Sequence, residues 1–246
     1  HAGLMESQVE QGVVWLREQV AGRLVGEEGV RIGVEELSAD YLLSFTPDIV
    51  ARHIRIHRDK YSLLRQRSLV FAENSEGRCS LLIMAFDHPG LLAKIFGVMI
   101  LNNLMVLNAR IFTWGDGTAV DVIDVRPMDG TDFTEQNWAA LNEELDRAID
   151  HRLGLSQKLY RKLGAVRKLN KELPVAPQPR VEVNNEVSAE YTVVEVHGGT
   201  GAGRLYRVTQ VLADSGINIH KAFISTEVKQ QVDVFYVADE QGNKIE

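Results

Sequence analysis

The stretch DHPGL, Asp87–Leu91, has residue types and an order that suit the binding of a small ligand that carries a carboxylate. It follows an apolar run at 81–86 and leads directly into a helical pattern, which predicts a strand-to-helix junction. A helix that begins near Gly90 presents free backbone N–H groups and the positive end of its dipole, and a carboxylate is stabilised there. Gly90 lets a ligand approach the backbone closely, and Pro89 fixes the entry angle of the helix without needing a partner for its nitrogen.

Asp87 has two interpretations at this junction. Its carboxylate could accept hydrogen bonds from the α-amino group of a bound amino acid, or it could cap the helix without any ligand. The first interpretation, together with the helix N-terminus, predicts a site for an amino acid bound through both of its charged groups.

The composition limits the class of protein. The 246 residues suffice for one large domain or two to three small ones, and 45% hydrophobic with 25% charged residues is typical of a soluble globular chain. The single cysteine, Cys79, excludes a disulfide within the chain and favours a reducing, cytoplasmic setting. The formal net charge of −7 argues against nonspecific nucleic-acid binding, and neither a membrane-spanning run nor a signal peptide at His1–Glu10 is expected.

The segment around Gly90 occurs twice in the chain. When Gly90 is placed over Gly203, apolar positions coincide without a gap from 81–111 onto 194–224, and a one-residue shift then places 120–125 over 232–237. A register kept over this length indicates an internal repeat.

Each copy has the order strand, helix, strand, strand. The helices are predicted at 91–101 and 205–213, and the strands that follow them at 105–113, 118–126, 217–226 and 231–238. A further helix from Thr134 gives the first copy the order of an α+β, ferredoxin-like (βαββαβ) fold.

The ends of the two copies raise a question that the pattern leaves open. The second copy stops after its third strand, so either it is cut short or a neighbouring segment completes it. The second helix of the first copy is expected to run from about Thr134 to Lys171, and RVEVN at 180–184 is expected to be its last strand, beyond a proline-rich linker. We therefore predict a helical segment at 1–77, a first domain at 78–184 and a second domain at 190–246.

Three other groups of charged or metal-binding residues each have both a structural and a functional interpretation. The basic helix predicted at 151–173 is either a solvated face or a docking surface for an acidic partner. His53 and His57 have the spacing of a metal pair, but solvated or capping histidines are the default because no third ligand is near. The acidic residues at 143, 144, 146 and 150 are interpreted as a solvated helix face rather than as catalytic carboxylates.

The repeated unit resembles the ACT domain, a small ferredoxin-like module that binds amino acids in metabolic regulators. The resemblance rests on DHPGLL at 87–92, where the family usually has Asp-Arg-Pro-Gly-Leu, and on GINIH at 216–220, the family's usual entry to its second strand. It implies a tandem pair of ACT domains.

Two longer segments resemble one particular family of proteins that contain ACT domains. PRVEVNNEVSAEYTVVEV at 179–196 and YLLSFTPDIVARHIRIHR at 41–58 are similar to the family of bifunctional uridylyltransferase/uridylyl-removing enzymes of bacterial nitrogen regulation. The resemblance implies a regulatory part that senses an amino acid, with glutamine favoured, in an enzyme that modifies the PII signalling protein. It implies no catalytic residue, metal or cofactor in this region, while the catalytic part of such an enzyme would use Mg²⁺.

The resemblance also implies where a ligand binds. In the second copy Thr200, Gly201 and Ala202 replace the Asp-His-Pro of the first, so the second site loses its carboxylate and Asn218 is the candidate substitute. A homodimer through the edges of the ACT sheets is possible, and no nucleic-acid or membrane partner is expected. The competing hypothesis is a degenerate pair that docks PII or the catalytic domains. The expected ligand-binding residues are Asp87, His88, Pro89, Gly90, Leu91, Leu92, Met105, Asn108, Gly201, Ala202, Gly203, Arg204, Leu205 and Asn218.

Overall fold

The computed structural model describes residues 2–169, 179–198, 203–226 and 232–245. The chain divides into two compact units. The first unit comprises residues 1–67 together with the short turn at 114–118, and the second comprises 68–113 and 119–246. Within the described ranges, no helix has both the length and the apolar character that crossing a membrane requires.

The first unit is helical, as expected. It contains α1 (Ala2–Arg23), a short 3-10 helix (Val34–Glu36), α2 (Ala39–Ser44) and α3 (Pro47–Leu64). Local sequence explains where two of the helices begin: Ser38 Oγ accepts a hydrogen bond from the N–H of Tyr41, and Thr46 caps α3 with Pro47 at its first position.

The second unit contains one eight-stranded antiparallel sheet. The strands stand in the order β1-β2-β4-β3-β7-β8-β6-β5. They are β1 (Leu69–Ser75), β2 (Arg78–Phe86), β3 (Leu104–Thr113), β4 (Thr118–Pro127), β5 (Arg180–Asn184), β6 (Thr192–His197), β7 (Asn218–Ser225) and β8 (Val232–Ala238).

The edge strand of each copy precedes the repeated unit instead of following it. We expected RVEVN at 180–184 to complete the first copy, but β5 pairs with β6 of the second copy. The first copy is completed by β1, which the sequence had placed in the helical segment and which pairs with β2 across a turn at Gly77. The expected boundaries at 77 and 184 are therefore wrong, and a neighbouring segment does complete the second copy's sheet.

The two copies join through β3 and β7. These strands pair antiparallel from Asn108 opposite Ser225 to Phe112 opposite Lys221, and Thr226 adds hydrogen bonds to the carbonyls of Val106 and Leu107. The expected fold class, α+β with two tandem ferredoxin-like units after a helical segment, is confirmed.

Four helices accompany the sheet: α4 (Leu91–Leu101), α5 (Glu135–Ile149), α6 (Leu155–Leu169) and α7 (Arg204–Asp214). The single helix expected from Thr134 to Lys171 is wrong, because α5 ends at Ile149 and the chain turns before α6 begins. His151 and Gly154 have φ values of 58° and 61° in this turn, a left-handed conformation that interrupts a helix. Residues 170–178, which include Lys171 and most of the expected linker, lie outside the described residues.

The helix-facing side of the sheet is covered unequally in the two copies. In the first copy, α5 packs on the edge strand β1. In the second copy, Val181 and Val183 on β5 lie opposite the buried Val196 and Val194, and so on the same face, yet they are 57% and 63% exposed. Among the described residues, the outer part of this face is open.

Packing between α4 and α6 depends on a glycine. A Cβ added at Gly97 would lie 3.0 Å from methyl carbons of both Leu155 and Leu159. We expect Gly97→Val to destabilise the chain by about 1–3 kcal/mol, because a β-branched side chain would overpack this contact. Gly164→Val is the matched control, since Gly164 lies in α6 with no atom within 4 Å of its Cβ position. Urea denaturation of both variants measures the difference, and equal stabilities would contradict the proposed packing constraint.

Candidate ligand-binding site

A cavity of about 170 Å³ lies where the first copy's loop meets the second copy's helix α7 and the start of β7. This volume is smaller than the roughly 300–1,000 Å³ of drug-sized sites and suits a small metabolite. Seven of the residues expected from sequence line the cavity together with six others. The expected residues are Asp87, His88, Pro89, Gly90, Leu91, Leu92 and Asn218, and the others are Ala93, Thr209, Ala213, Ile217, Ile219 and His220.

The N-terminus of α4 forms one wall of the cavity. Gly90 is its N-cap residue with a φ of 83°, and no side chain caps this helix. The interpretation of Asp87 as a helix cap is therefore wrong. The N–H of Leu91 donates to the carbonyl of His88, and no capping side chain accepts from the other first-turn N–H groups beside the cavity. Because φ is positive here, a substitution of Gly90 would strain the backbone as well as fill the site, so it does not separate binding from folding.

Asp87 is held by the strand beside it. Its Oδ2 accepts a hydrogen bond of 2.9 Å from the Thr113 hydroxyl. Desolvation raises the pKa of Asp87, although the residue as a whole is exposed, and the Thr113 hydrogen bond and the nearby His220 and His88 oppose that rise. A cation bound in the cavity would favour the ionised carboxylate.

His88 has a structural role in the loop. Its Nδ1 donates to the carbonyl of Phe86 at 3.2 Å, and its Nε2 accepts from Lys94, which also donates to the carbonyl of Ile149. Burial lowers the pKa of His88, which favours the neutral ring that these contacts require. The histidine thus ties the loop to the C-terminal end of α5.

The second copy contributes His220, which the sequence analysis missed. Its ring stacks on Tyr191 with centroids 4.9 Å apart, and its buried Nε2 has no hydrogen-bond partner within the described part of the chain. A buried ring nitrogen without a partner is a binding group that a ligand can satisfy. The signal was present in GINIH, where His220 stands two residues after Asn218, but only the β3–β7 pairing brings it to the first copy's loop.

Equivalent aspartates lie behind the two helix N-termini. Asp121 on β4 and Asp233 on β8 are 2% and 0% exposed, and each carboxyl lies beside the backbone of an equivalent residue, Phe112 or Ser225. Asp233 pairs with Arg204, the first residue of α7. Oδ1 of Asp121 has no hydrogen-bond partner among the described residues. Burial, with a smaller contribution from Asp87, raises the pKa of Asp121 well above its usual value.

The second copy's loop differs from the first. Gly201 and Ala202 lie outside the described residues. A Cβ at Gly203 would lie 2.8 Å from Leu163, so this helix N-terminus faces an apolar side chain, and Arg204 is engaged by Asp233. Leu205 packs against the hydrophobic core.

Met105 and Asn108 do not line the cavity. Met105 lies beside Arg126, and Asn108 stands in the β3 ladder opposite Asp124 and Ser225. Their expected role in ligand binding gains no support from this geometry.

The other clusters have protein partners. His53 Nδ1 lies 2.7 Å from the Tyr41 hydroxyl, and His57 Nε2 lies 2.9 Å from Asp116, so the two rings are held by different groups. Asp146 accepts from Ser68, and Glu144 accepts from Asn102.

The basic helix expected at 151–173 is described only in part. Leu159 of α6 is buried, and Lys162 donates to the carbonyl of Leu101. Of the residues that the structure describes, Glu182, Glu195 and His197 bring potential metal ligands within 4.8 Å of one another, but Glu182 also pairs with Arg180 on this partly exposed surface. Neither α6 nor the Glu182, Glu195 and His197 cluster indicates a further site.

Comparisons with known proteins agree with this architecture. Residues 187–246 match the ACR family N-terminal ACT domain. The chain is 33% identical to bifunctional uridylyltransferase/uridylyl-removing enzymes of Rhodospirillum rubrum and of Gluconobacter oxydans, in each case over 83% of this chain and 22% of the relative. The chain thus spans about a fifth of the length of these relatives. The resemblance and the tandem ACT fold expected from the sequence are confirmed.

A solved structure of aspartate kinase from Synechocystis also matches. It has a TM-score of 0.35 and 15% sequence identity over 68% of this chain and 25% of that chain. This likeness is too weak to support a conclusion.

We predict opposite effects on the stability of the chain when each of the two buried aspartates is replaced by asparagine. Asp121→Asn should stabilise the unliganded chain at neutral pH, because it removes a buried carboxyl that lacks a cation. Asp233→Asn should destabilise it by roughly 3–5 kcal/mol, because it leaves Arg204 buried without its partner. Thermal melts at pH 7 test the difference in sign.

The pH dependence follows from the raised pKa of Asp121. A carboxyl whose pKa is higher in the folded state contributes its stability below the unfolded pKa and loses it as the pH rises through the folded pKa. The stabilisation by Asp121→Asn should therefore grow as the pH is raised from about 4 towards neutral. A constant gap between variant and parent would contradict the proposed titration.

Proposed function

We propose that this chain, which aligns over 83% of its length with bifunctional uridylyltransferase/uridylyl-removing enzymes, is an amino-acid-sensing ACT pair that regulates such an enzyme. The observation that carries the proposal is the cavity between the two copies, which is lined by the N-terminus of α4, by Asp87 and by His220, whose Nε2 has no hydrogen-bond partner among the described residues.

An amino acid has complementary groups for this cavity. Its carboxylate would bind at the N-terminus of α4, where backbone N–H groups and the helix dipole favour an anion. Its ammonium group would bind the Asp87 carboxylate, which Thr113 already orients. Both charges of the ligand would then be compensated at one end of the cavity.

The side chain of the ligand would face the second copy. Asn218 and His220 lie on that wall, and their side chains are of types that form hydrogen bonds to a carboxamide. Glutamine carries a carboxamide, and this chemistry, with the family resemblance, favours it over amino acids with apolar side chains.

Regulation would follow from the position of the cavity. One wall comes from the loop of the first copy, and the other comes from α7 and β7 of the second. A ligand that contacts both walls stabilises one packing of α4 against α7 over others, which is the differential affinity that a regulatory change requires.

The proposal includes partners and setting. The regulated activities would be the transfer of uridylyl groups to PII and their removal, in a cytoplasmic enzyme whose catalytic part uses Mg²⁺. This region would contribute no catalytic residue or cofactor. A homodimer would form through the edge strands β1 and β5, since sheet edges offer backbone groups for pairing.

Calorimetric titration with glutamine tests the binding site. We expect Asp87→Asn to weaken glutamine binding by about tenfold or more, because a hydrogen bond to a charged group contributes about 1.5–3 kcal/mol. Asp124→Asn is the matched control, because it removes a carboxylate from β4 outside the cavity. Equal affinities of the Asp87 variant and the parent would contradict the site, and no binding of any common amino acid would favour the docking hypothesis.

A chimera tests regulation. The matching region of the Rhodospirillum rubrum relative is replaced by residues 68–246 of this chain, and uridylyl transfer to PII is assayed with and without glutamine. We expect a glutamine response that Asp87→Asn removes while basal transfer stays unchanged. The Asp124→Asn chimera should respond like the parent chimera. A response that persists in the Asp87 variant would place the sensor elsewhere.

A further inference from the structure

The internal repeat provides a comparison of two equivalent sites in one chain. Gly90 and Gly203 are both N-cap residues in the left-handed conformation, with φ values of 83° and 87°. The residues that follow them, Leu91 and Arg204, therefore occupy equivalent first positions of α4 and α7.

The strand residues beneath these positions are also equivalent. Asp121 stands opposite Ile111, and continuing the β7–β8 ladder one step beyond the Phe223–Val234 pair places Asp233 opposite Ile224, the equivalent of Ile111. Their carboxyl groups lie beside the backbone of equivalent residues, Phe112 and Ser225. The two sites thus share a buried aspartate at the same place under a helix N-terminus.

The charges at the two sites differ. In the second copy the Arg204 guanidinium neutralises Asp233. In the first copy the apolar Leu91, only 3% exposed, replaces the arginine, and Asp87 adds a second acidic group near Asp121. Asp87 accepts a hydrogen bond from Thr113, which stands two residues from Ile111 on β3 and so lies on the same face of the sheet. Because Asp121 stands opposite Ile111, Thr113 and Asp121 also share that face.

We infer that the bound ligand supplies the cation that Arg204 supplies in the second copy, and that its ammonium group lies between Asp87 and Asp121. Asp121 is not among the residues that line the cavity, so under this proposal the ammonium group extends from the cavity towards Oδ1 of Asp121, which has no hydrogen-bond partner among the described residues. A buried carboxylate without a cation is costly, so the site selects ligands that carry a positive charge. The second copy, with its own arginine in that place, has no need of a ligand cation. This inference rests on the proposed amino-acid binding and specifies what holds the ammonium group.

The substitution Leu91→Arg places in the first copy an arginine at the position that Arg204 has in the second copy. The arginine should pair with Asp121 and occupy the place of the ammonium group. We expect the variant to fold and to lose at least tenfold in affinity for glutamine by calorimetric titration. Leu91→Met is the matched control, because it conserves volume and introduces no charge, and its affinity should stay within about threefold of the parent.

A second experiment does not depend on the folding of the arginine variant. Glutamine is compared with glutaramate, its analogue without the α-amino group, in the parent chain and in Asp121→Asn. The parent should prefer glutamine by more than tenfold, and Asp121→Asn should reduce that preference while its affinity for glutaramate stays nearly unchanged. A structural role of Asp121 would lower both affinities together.

The outcomes separate the two proposals. If the parent chain binds no amino acid, the proposed function is wrong. If the parent binds glutamine but Leu91→Arg binds it equally well, or Asp121→Asn keeps the full preference over glutaramate, the assignment of Asp121 is wrong and the proposed function is unaffected.

Discussion

The antiparallel pairing of β3 with β7 is the interaction on which the rest of the second unit depends. It joins two four-stranded sheets into one and sets the register from Asn108 opposite Ser225 to Phe112 opposite Lys221. It also accompanies the packing of α4 against α7, and the loop after β2 thereby meets the start of β7. Without this ladder, each copy would present half of a cavity.

A second constraint is the left-handed glycine at the start of each repeated helix. Gly90 and Gly203 both have a positive φ where the loop enters the helix, a conformation that glycine adopts without steric cost. The backbone conformation is the same at both glycines, but the charged groups around them differ because the neighbouring residues differ. The first copy keeps acidic groups, whereas the second has an internal ion pair and the Leu163 side chain over its glycine.

Much of this architecture was predictable from the sequence because the repeat keeps its register. The bounds of α4, and those of β3, β4, α7, β7 and β8 within a residue or so, follow from periodicity that the fold preserves. The edge strands were not predictable in the same way. A strand's partner is decided by pairing in space, and nothing in LVFAENS or RVEVN indicates which neighbour completes which copy. For the same reason Asp87 could be identified from its loop, whereas His220, and the role proposed for Asp121, required the sheet to bring distant segments together.

The ion pair between Arg204 and Asp233 has a consequence for the shape of a dose–response curve. A tandem repeat with two identical pockets could respond steeply, since occupation of one would alter the other within the same sheet. In the second copy the Arg204 side chain pairs with Asp233, and under the inference above it takes the place of a ligand's ammonium group. Under the proposed function, each chain then has one pocket to fill, and its saturation follows a simple hyperbola. Any steeper dependence on nutrient concentration would have to come from assembly of several chains or from opposing enzymatic activities, not from the duplication itself.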